Sequence, residues 1–200
     1  MKLYSYVVEH DNGHAPNPYF GVCTLCRCKF RKHREHPKNV VELANVGDWI
    51  IGTGGANRKR STGHGTLVYA MRVDEKLTRQ HYFSDPRFAR KKLSGRTYAQ
   101  SQGDNIQPNG RFEASEQNVL VSDHFYYFGA RAIAIPKRFA MLEKKGPGFK
   151  NRFTPADVDS VIEWLTKNYA PGKHGEPCGG APDPSTDCGD SRSRRCKSSC

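Results

Sequence analysis

The chain has 200 residues, 36% of them apolar, and a formal charge of +12 from 32 basic against 20 acidic side chains. That length fits one domain with a small appendage, and no run reaches the roughly 18 apolar residues of a membrane helix, so a cytoplasmic protein is expected. A basic excess of this size suggests a polyanionic partner, of which DNA or RNA is the usual one.

The opening "KLYSYVVEH" alternates and is rich in Tyr and Val, which predicts a strand. Glu9 and Asp11 interrupt its apolar run too early for a signal peptide. "DNGHAPNPYFG" follows as a long loop. Asn17 lies between two prolines, is held extended and is placed to offer its amide to a base edge. His14, Asn17, Tyr19 and Phe20 are therefore candidate pocket residues. "VCTLCRCKF" reads as a second strand, followed by the basic run "RKHREHPK". Cys23, Cys26, Cys28, His33 and His36 are metal-ligand types. Strand alternation, however, puts Cys26 and Cys28 on one face and Cys23 on the other, which opposes a Cys23–Cys26 chelate. No metal and no cofactor is expected, and the seven cysteines read as thiols.

"VGDWIIGTGGANRKRSTGHG" carries Asp48 at a turn, where its carboxylate accepts backbone N–H groups, and then a strand over 48–53. Its glycines match neither a P-loop nor a dinucleotide turn, because a strand follows them and no helix N-terminus is available for phosphate. A hairpin with Arg58, Lys59 and Arg60 at its tip fits better. Gly54 and Gly55 would let a ligand approach the backbone. "GTLVYAMRVDEKLT" is the clearest strand, with Leu67, Tyr69, Met71 and Val73 on one face and Val68, Ala70 and Arg72 on the other. Residues 79–118 are polar and irregular, with one short helix near "DPRFARKK". "NVLVSDHFYYFG" and "RAIAIP" are two late strands.

In the first of these, Asp123, Phe125 and Tyr127 share one face, and His124, Tyr126 and Phe128 the other. Asp123 or His124 could bond the edge of a base while the rings, Tyr126 among them, stack on it. The alternative is that the rings are core and Asp123 caps a turn. For an enzyme, only Asp123, His124, Asp104 and Cys28 offer pieces of an acid/base pair or nucleophile, and no H-x-E…P-C-x-x-C deaminase pattern occurs. A helix then starts at a Thr154 cap with Pro155 in its first turn. Val158, Val161, Ile162 and Leu165 form its core stripe, Tyr169 extends it, and Pro171-Gly172 ends it. Residues 171–200 hold no large apolar side chain, and their five basic against four acidic residues leave +11 of the charge to residues 1–170. Such a segment reads as a disordered tail outside a 1–170 domain.

Six blocks in order, "DNGHAPNPYFG", "VGDWIIGTGG", "LVYAMRV", "SDPRF", "GDNI" and "VLVSDHFYYFG", resemble the second of the nucleotide-modification-associated domain families over most of residues 1–150. More distantly, "VGDWIIGTGG" followed by "GTLVYAMRVDEKLT" and "HYFSDPRF" is similar to the PUA-like barrel group of EVE and ASCH domains. Cys23 and Cys26 stand where the family pattern is mostly apolar. The resemblance implies a mostly β (α+β), PUA-like barrel with a C-terminal amphipathic helix. It also implies a prokaryotic or phage setting and the handling of modified bases in DNA-modification or phage-conflict systems. The expected function is a binding module that recognises modified bases in nucleic acid or nucleotides. The alternatives are an enzyme acting through Asp123 and His124, and a protein-interaction module.

Overall fold

The computed structural model describes residues 1–26, 30–31, 38–58, 60–92 and 117–179. In chain order the elements are β1 (Leu3–Val8), β2 (Cys23–Leu25), β3 (Phe30–Arg31), β4 (Lys38–Asn39), α1 (Val40–Leu43), β5 (Trp49–Gly54), β6 (Thr66–Arg72), β7 (Glu75–Thr78) and α2 (Arg79–Ser84). A 3-10 turn at Pro86–Lys91 precedes β8 (Asn118–Ser122) and β9 (Phe125–Tyr127). Then come β10 (Ile133–Ala134), a second 3-10 segment at Lys137–Leu142, β11 (Phe149–Lys150), α3 (Pro155–Asn168) and β12 (Gly172–Lys173). Among the described residues no helix is long and apolar enough to cross a membrane.

The main sheet runs β11-β1-β5-β6-β9-β12, with β10 also paired to β6. It mixes parallel pairs (β1 with β5, β9 with β12) and antiparallel ones. A second sheet runs β2-β8-β7, and β3 pairs with β4. The mostly β, α+β class holds. The main sheet is open and does not close into a barrel: β11 and β12 end it on either side and do not pair with each other. β11 and β12 are two residues each, so both edges are short.

Both faces of the sheet are covered. Tyr4, Tyr6, Val8, Ile50, Tyr69, Met71, Phe125 and Tyr127 point into one core with Cys23, Leu25, Val40 and Val41. Leu3, Trp49, Ile51, Ala70, Tyr126 and Phe128 point into the other, under α3. This explains why β1 is buried at all six positions, Ser5 included. The stripe on α3 is core as expected, with Val158, Val161 and Leu165 buried and Ile162 and Tyr169 packed against the cluster. Trp164 joins them. Thr154 and Asp157 form a reciprocal capping box, with the Asp157 N–H donating to Thr154 Oγ1 at 3.1 Å. Asp48 is structural, accepting from the N–H of Lys2 at 2.7 Å and of Asn45 at 3.0 Å.

Three sequence expectations change. Leu67 lies on the opposite face from Tyr69, because the β5–β6 register shifts after Gly52 opposite Tyr69, so that Thr53 faces Leu67 and Val68 is bulged. The segments 66–78 and 118–128 are not single strands: each breaks, the first passing from the main sheet to the small one and the second from the small one to the main. The Asp74 carboxylate makes that corner, taking the N–H groups of Asp123 at 3.0 Å and His124 at 3.1 Å. Finally, the chain does not leave the domain at 171. β12 adds to β9, the N–H of His174 donates to the Tyr127 carbonyl at 2.7 Å, and the N–H of Ala130 to the Glu176 carbonyl at 2.7 Å. A segment with no large apolar side chain is ordered here by backbone pairing, which a count of hydrophobic residues does not register. Residues beyond 179, including the last three cysteines, lie outside the described residues, as do Cys28, His33, His36, Lys59 and Asp104.

Candidate functional site

A cleft of about 360 Å³ opens at the β12 edge of the main sheet. Three segments line it: Pro18–Gly21 of the first loop, Asp123 and Phe125 at the β8–β9 corner, and Pro171–Lys173 on β12. Its size falls in the ~300–1,000 Å³ range of small-ligand sites. It joins three of the residues singled out from sequence, Tyr19, Phe20 and Asp123, from positions about a hundred residues apart.

The first loop is held by a buried lysine. Lys91, 1% exposed, sends its ammonium to the Asn17 carbonyl at 3.0 Å, Asn17 Oδ1 at 2.7 Å, the Val22 carbonyl at 2.9 Å and Thr24 Oγ1 at 3.3 Å. Asn17 also exchanges backbone hydrogen bonds with Thr24. Its amide therefore faces the protein and is not offered to a ligand, contrary to the sequence reading. The other side of this anchor faces the cleft. Phe20 adopts φ +62° and Gly21 φ +84°, left-handed values that turn the chain sharply just after Tyr19. A bulky residue in that region is strained, and such strain concentrates at ligand-binding loops. The half-buried rings of Tyr19 and Phe20 lie 6.2 Å apart, tilted by 48°.

Each ring carries a cation. The Arg90 guanidinium sits 4.1 Å from the Phe20 centroid, and Lys173 Nζ sits 5.1 Å from the Tyr19 centroid while pairing with Glu176. Burial, aided by the charges of Glu176 and Asp11, pushes the Tyr19 hydroxyl up to about 12. It remains a neutral phenol, able to donate and accept, at any physiological pH.

Asp123 is the acceptor of the cleft, with its side chain 76% exposed. Its carboxyl shares a hydrogen bond with the Asp74 carboxyl. Asp123 is raised, chiefly by that bond and by the Asp74 charge. Burial alone would raise Asp74. The bonds from Asp123, from Arg72 and from the backbone of His124 and Asp123 outweigh it, and Asp74 is lowered. Arg72 bonds Asp74 through Nε and lies 3.8 Å from Asp123 Oδ1. The two neighbouring carboxyls are thus pushed in opposite directions, Asp123 up and Asp74 down.

His124 faces the other way. Its ring stands edge-on to Trp49 at 5.6 Å, and Nε2 lies 3.2 Å from the Tyr126 hydroxyl, on the α3 side of the sheet. Asp123 and His124 do not converge, and Tyr126 is core. Phe125 and Tyr127 are also core, although Phe125 borders the cleft. His14 is buried in the first loop and does not line the cleft.

The hairpin after β5 is at the far end of the strands. β6 begins at Thr66 beside the hairpin and ends at Arg72 beside Asp123, a span of roughly 20 Å at ~3.3 Å per residue. Gly54 and Gly55 are filled by protein, not left for a ligand. A Cβ on Gly54 would meet the Gly63 carbonyl at 2.1 Å, and the Gly55 N–H donates to Ser61 Oγ at 2.7 Å. Arg58 and Arg60 are exposed. Sequence reasoning placed Phe125 beside Asp123 and missed Asp74, Lys91 and Pro171–Lys173 as parts of the site. Only Asp74 had a local signal, an acid where an apolar strand turns polar.

Among the described residues no group of three or more His, Cys, Asp or Glu side chains is arranged to hold a metal ion. Cys23 and Cys26 are both buried but in different clusters, Cys23 under the main sheet and Cys26 with Tyr82, Phe88, Val119 and Val121.

No curated protein and no solved structure matches the chain. The family model for nucleotide modification associated domain 2 matches residues 1–114 and 97–181, which together span the first loop, the corner at Asp74 and Asp123, α3 and β12. The chain therefore belongs to the nucleotide modification associated domain 2 family.

Proposed function

We propose that the protein is a reader of modified bases, and that the cleft at the β12 edge receives the base. The carrying observation is the meeting of Tyr19 and Phe20 with Asp123 around one opening of base-sized dimensions. Aromatic side chains stack on any base, at about 1–3 kcal/mol each, and a carboxylate selects an edge that presents donors, such as an exocyclic amine or ring N–H. A base swung out of a duplex costs a few kcal/mol of unstacking, which stacking and edge bonding together offset. The role fits the family's link to nucleotide modification. The separation of Asp123 from His124 removes support from an enzyme built on that pair.

The Asp74–Asp123 carboxyl pair supports a second reading, proton transfer to a bound nucleotide, because two carboxyls pushed in opposite directions are the usual makings of an acid and a base. One experiment separates the two. Modified DNA or RNA is incubated with the protein and its nucleosides are analysed by mass spectrometry, with binding measured in parallel. For a reader, no nucleoside changes, and Asp123→Asn weakens the preferred ligand about tenfold or more, at roughly 1–2 kcal/mol for a lost charged hydrogen bond. A new nucleoside that vanishes with Asp123→Asn or Asp74→Asn establishes the enzyme instead.

A further inference from the structure

The end of the sheet away from the cleft gathers basic residues from two distant parts of the sequence. Gly65, at the exit of the hairpin, is bonded twice to the segment after β10. Its carbonyl accepts from the N–H of Ile135 at 2.8 Å, and its N–H donates to Glu143 Oε1 at 3.0 Å. Lys137 and Arg138 follow the first contact by two and three residues. Lys144 and Lys145 follow the second directly. Arg58 folds back on Gly63, with its Nε 3.2 Å from where a Cβ would stand, so it too lies against the hairpin's exit. Arg60 is exposed beside it.

The acids nearby are largely engaged. Glu143 is bonded to Gly65 and lies 3.6 Å from His64 Nδ1, and Glu163 pairs with Lys167 at 2.6 Å. Lys150 is committed to the carbonyls of Met141 and Glu143, at 3.1 and 2.6 Å. Arg58, Arg60, Lys137, Arg138 and Lys145 are exposed, and none forms an ion pair among the described residues. Exposed cations held on one end of a sheet are what phosphate backbones bind, through release of their counterions.

We propose that this end of the sheet is a second site, a phosphodiester grip for a nucleic-acid strand whose base enters the cleft. The inference deepens the reader proposal by naming its ligand as a polymer rather than a free nucleotide. The hairpin's exit and the corner at Asp123 stand at opposite ends of β6, roughly 20 Å apart at ~3.3 Å per residue, several times the ~3.4 Å rise of one nucleotide. Phosphate contacts of this kind position the strand and carry no sequence information.

The test uses fluorescence anisotropy with an unmodified, labelled 20-base-pair DNA duplex and with single strands of DNA and RNA of the same length, across a salt series. Poly-glutamate serves as a competitor. The variant Lys137→Gln/Arg138→Gln/Lys145→Gln should lower the slope of log affinity against log salt on the duplex by about 3, at ~0.9 per lost contact. Arg58→Gln/Arg60→Gln, which alters the hairpin alone, should lower it by about 2, and Lys167→Gln on α3 should leave it unchanged. Whichever of the three nucleic acids gives the steepest slope identifies the strand that is gripped. Unchanged slopes in both basic-end variants overturn the proposal, as does poly-glutamate competing as well per charge as the duplex. Because the probe carries no modified base, the outcome does not depend on the cleft. Asp123→Asn should leave these slopes intact, and a failed grip leaves nucleoside binding in the cleft to be judged separately.

Discussion

Replacing Lys91 with Met is expected to lower stability by about 3–5 kcal/mol. The side chain is 1% exposed and its ammonium serves four oxygens. The substitution takes a charged donor from each, although the Asn17 carbonyl keeps the Thr24 N–H at 2.9 Å and Asn17 Oδ1 keeps the Tyr19 N–H at 3.2 Å. A hydrogen bond to a charged group contributes about 1.5–3 kcal/mol, and losses within one network add less than fully. At ~2–4 °C per kcal/mol for a chain of this size, melting should fall by roughly 10 °C. Arg offers no rescue, because a guanidinium is larger than the slot and its donors are fixed in a plane. The effect should reach the cleft as well. Asn17, Val22 and Thr24 are the points that hold the ends of the 18–21 segment, so nucleoside binding measured well below the melting point should weaken in Lys91→Met. A variant that melts within 2 °C of the parent and binds normally contradicts this role.

A chain ended at Pro171 is expected to melt about 5–10 °C below the full chain. The truncation removes β12 and strips the N–H of Ala130 and the carbonyl of Tyr127 of their partners. It also uncovers Asp11, which is 1% exposed and accepts from the Tyr127 hydroxyl and the N–H of Cys178, the latter at 3.2 Å. Three buried bonds at about 1 kcal/mol each, plus exposed core, give roughly 2–4 kcal/mol. Gly175→Val should reproduce much of the loss within the full chain, since a Cβ there would stand 2.0 Å from the Phe128 carbonyl oxygen. The loss should depend on pH. Burial raises Asp11 above the usual carboxylate range, so folding favours its protonated form. That stabilisation is complete below the unfolded value and fades as the pH rises through the raised one. Truncation opens Asp11 to water and removes it, so the gap between the two chains should be wider at pH 4 than at pH 7. Equal melting temperatures would restore the reading of residues 171–179 as a tail.

What the sequence revealed follows the range of the interactions involved. Local chemistry was legible. The Thr154 cap, the turn at Asp48, the stripe on α3 and the alternation of Phe125 to Phe128 each depend on neighbours within a few residues. The bulge at Val68 was not, because it is set by the partner strand and not by β6 itself. Tyr19, Phe20 and Asp123 were recognisable as chemical types, and only the fold shows that they share an opening while His124 and the hairpin do not. Lys91 lies inside a run of basic residues with nothing local to mark it, and its burial is set by oxygens 67 to 74 residues away. Residues 172–179 were misread for a related reason: backbone pairing orders them, and the side-chain composition carries no trace of it.

Hydrogen–deuterium exchange, compared between the free protein and the protein bound to a nucleoside whose modified base presents donors on its edge, reports on the cleft segment by segment. A base held in the cleft slows exchange at residues 18–21, 123–125 and 171–173 together, the three segments that line it, with the hairpin and residues 137–145 unchanged until the base is carried on an oligonucleotide. Protection confined to the hairpin, or to the α3 side of the sheet around Trp49, His124 and Tyr126, would contradict it.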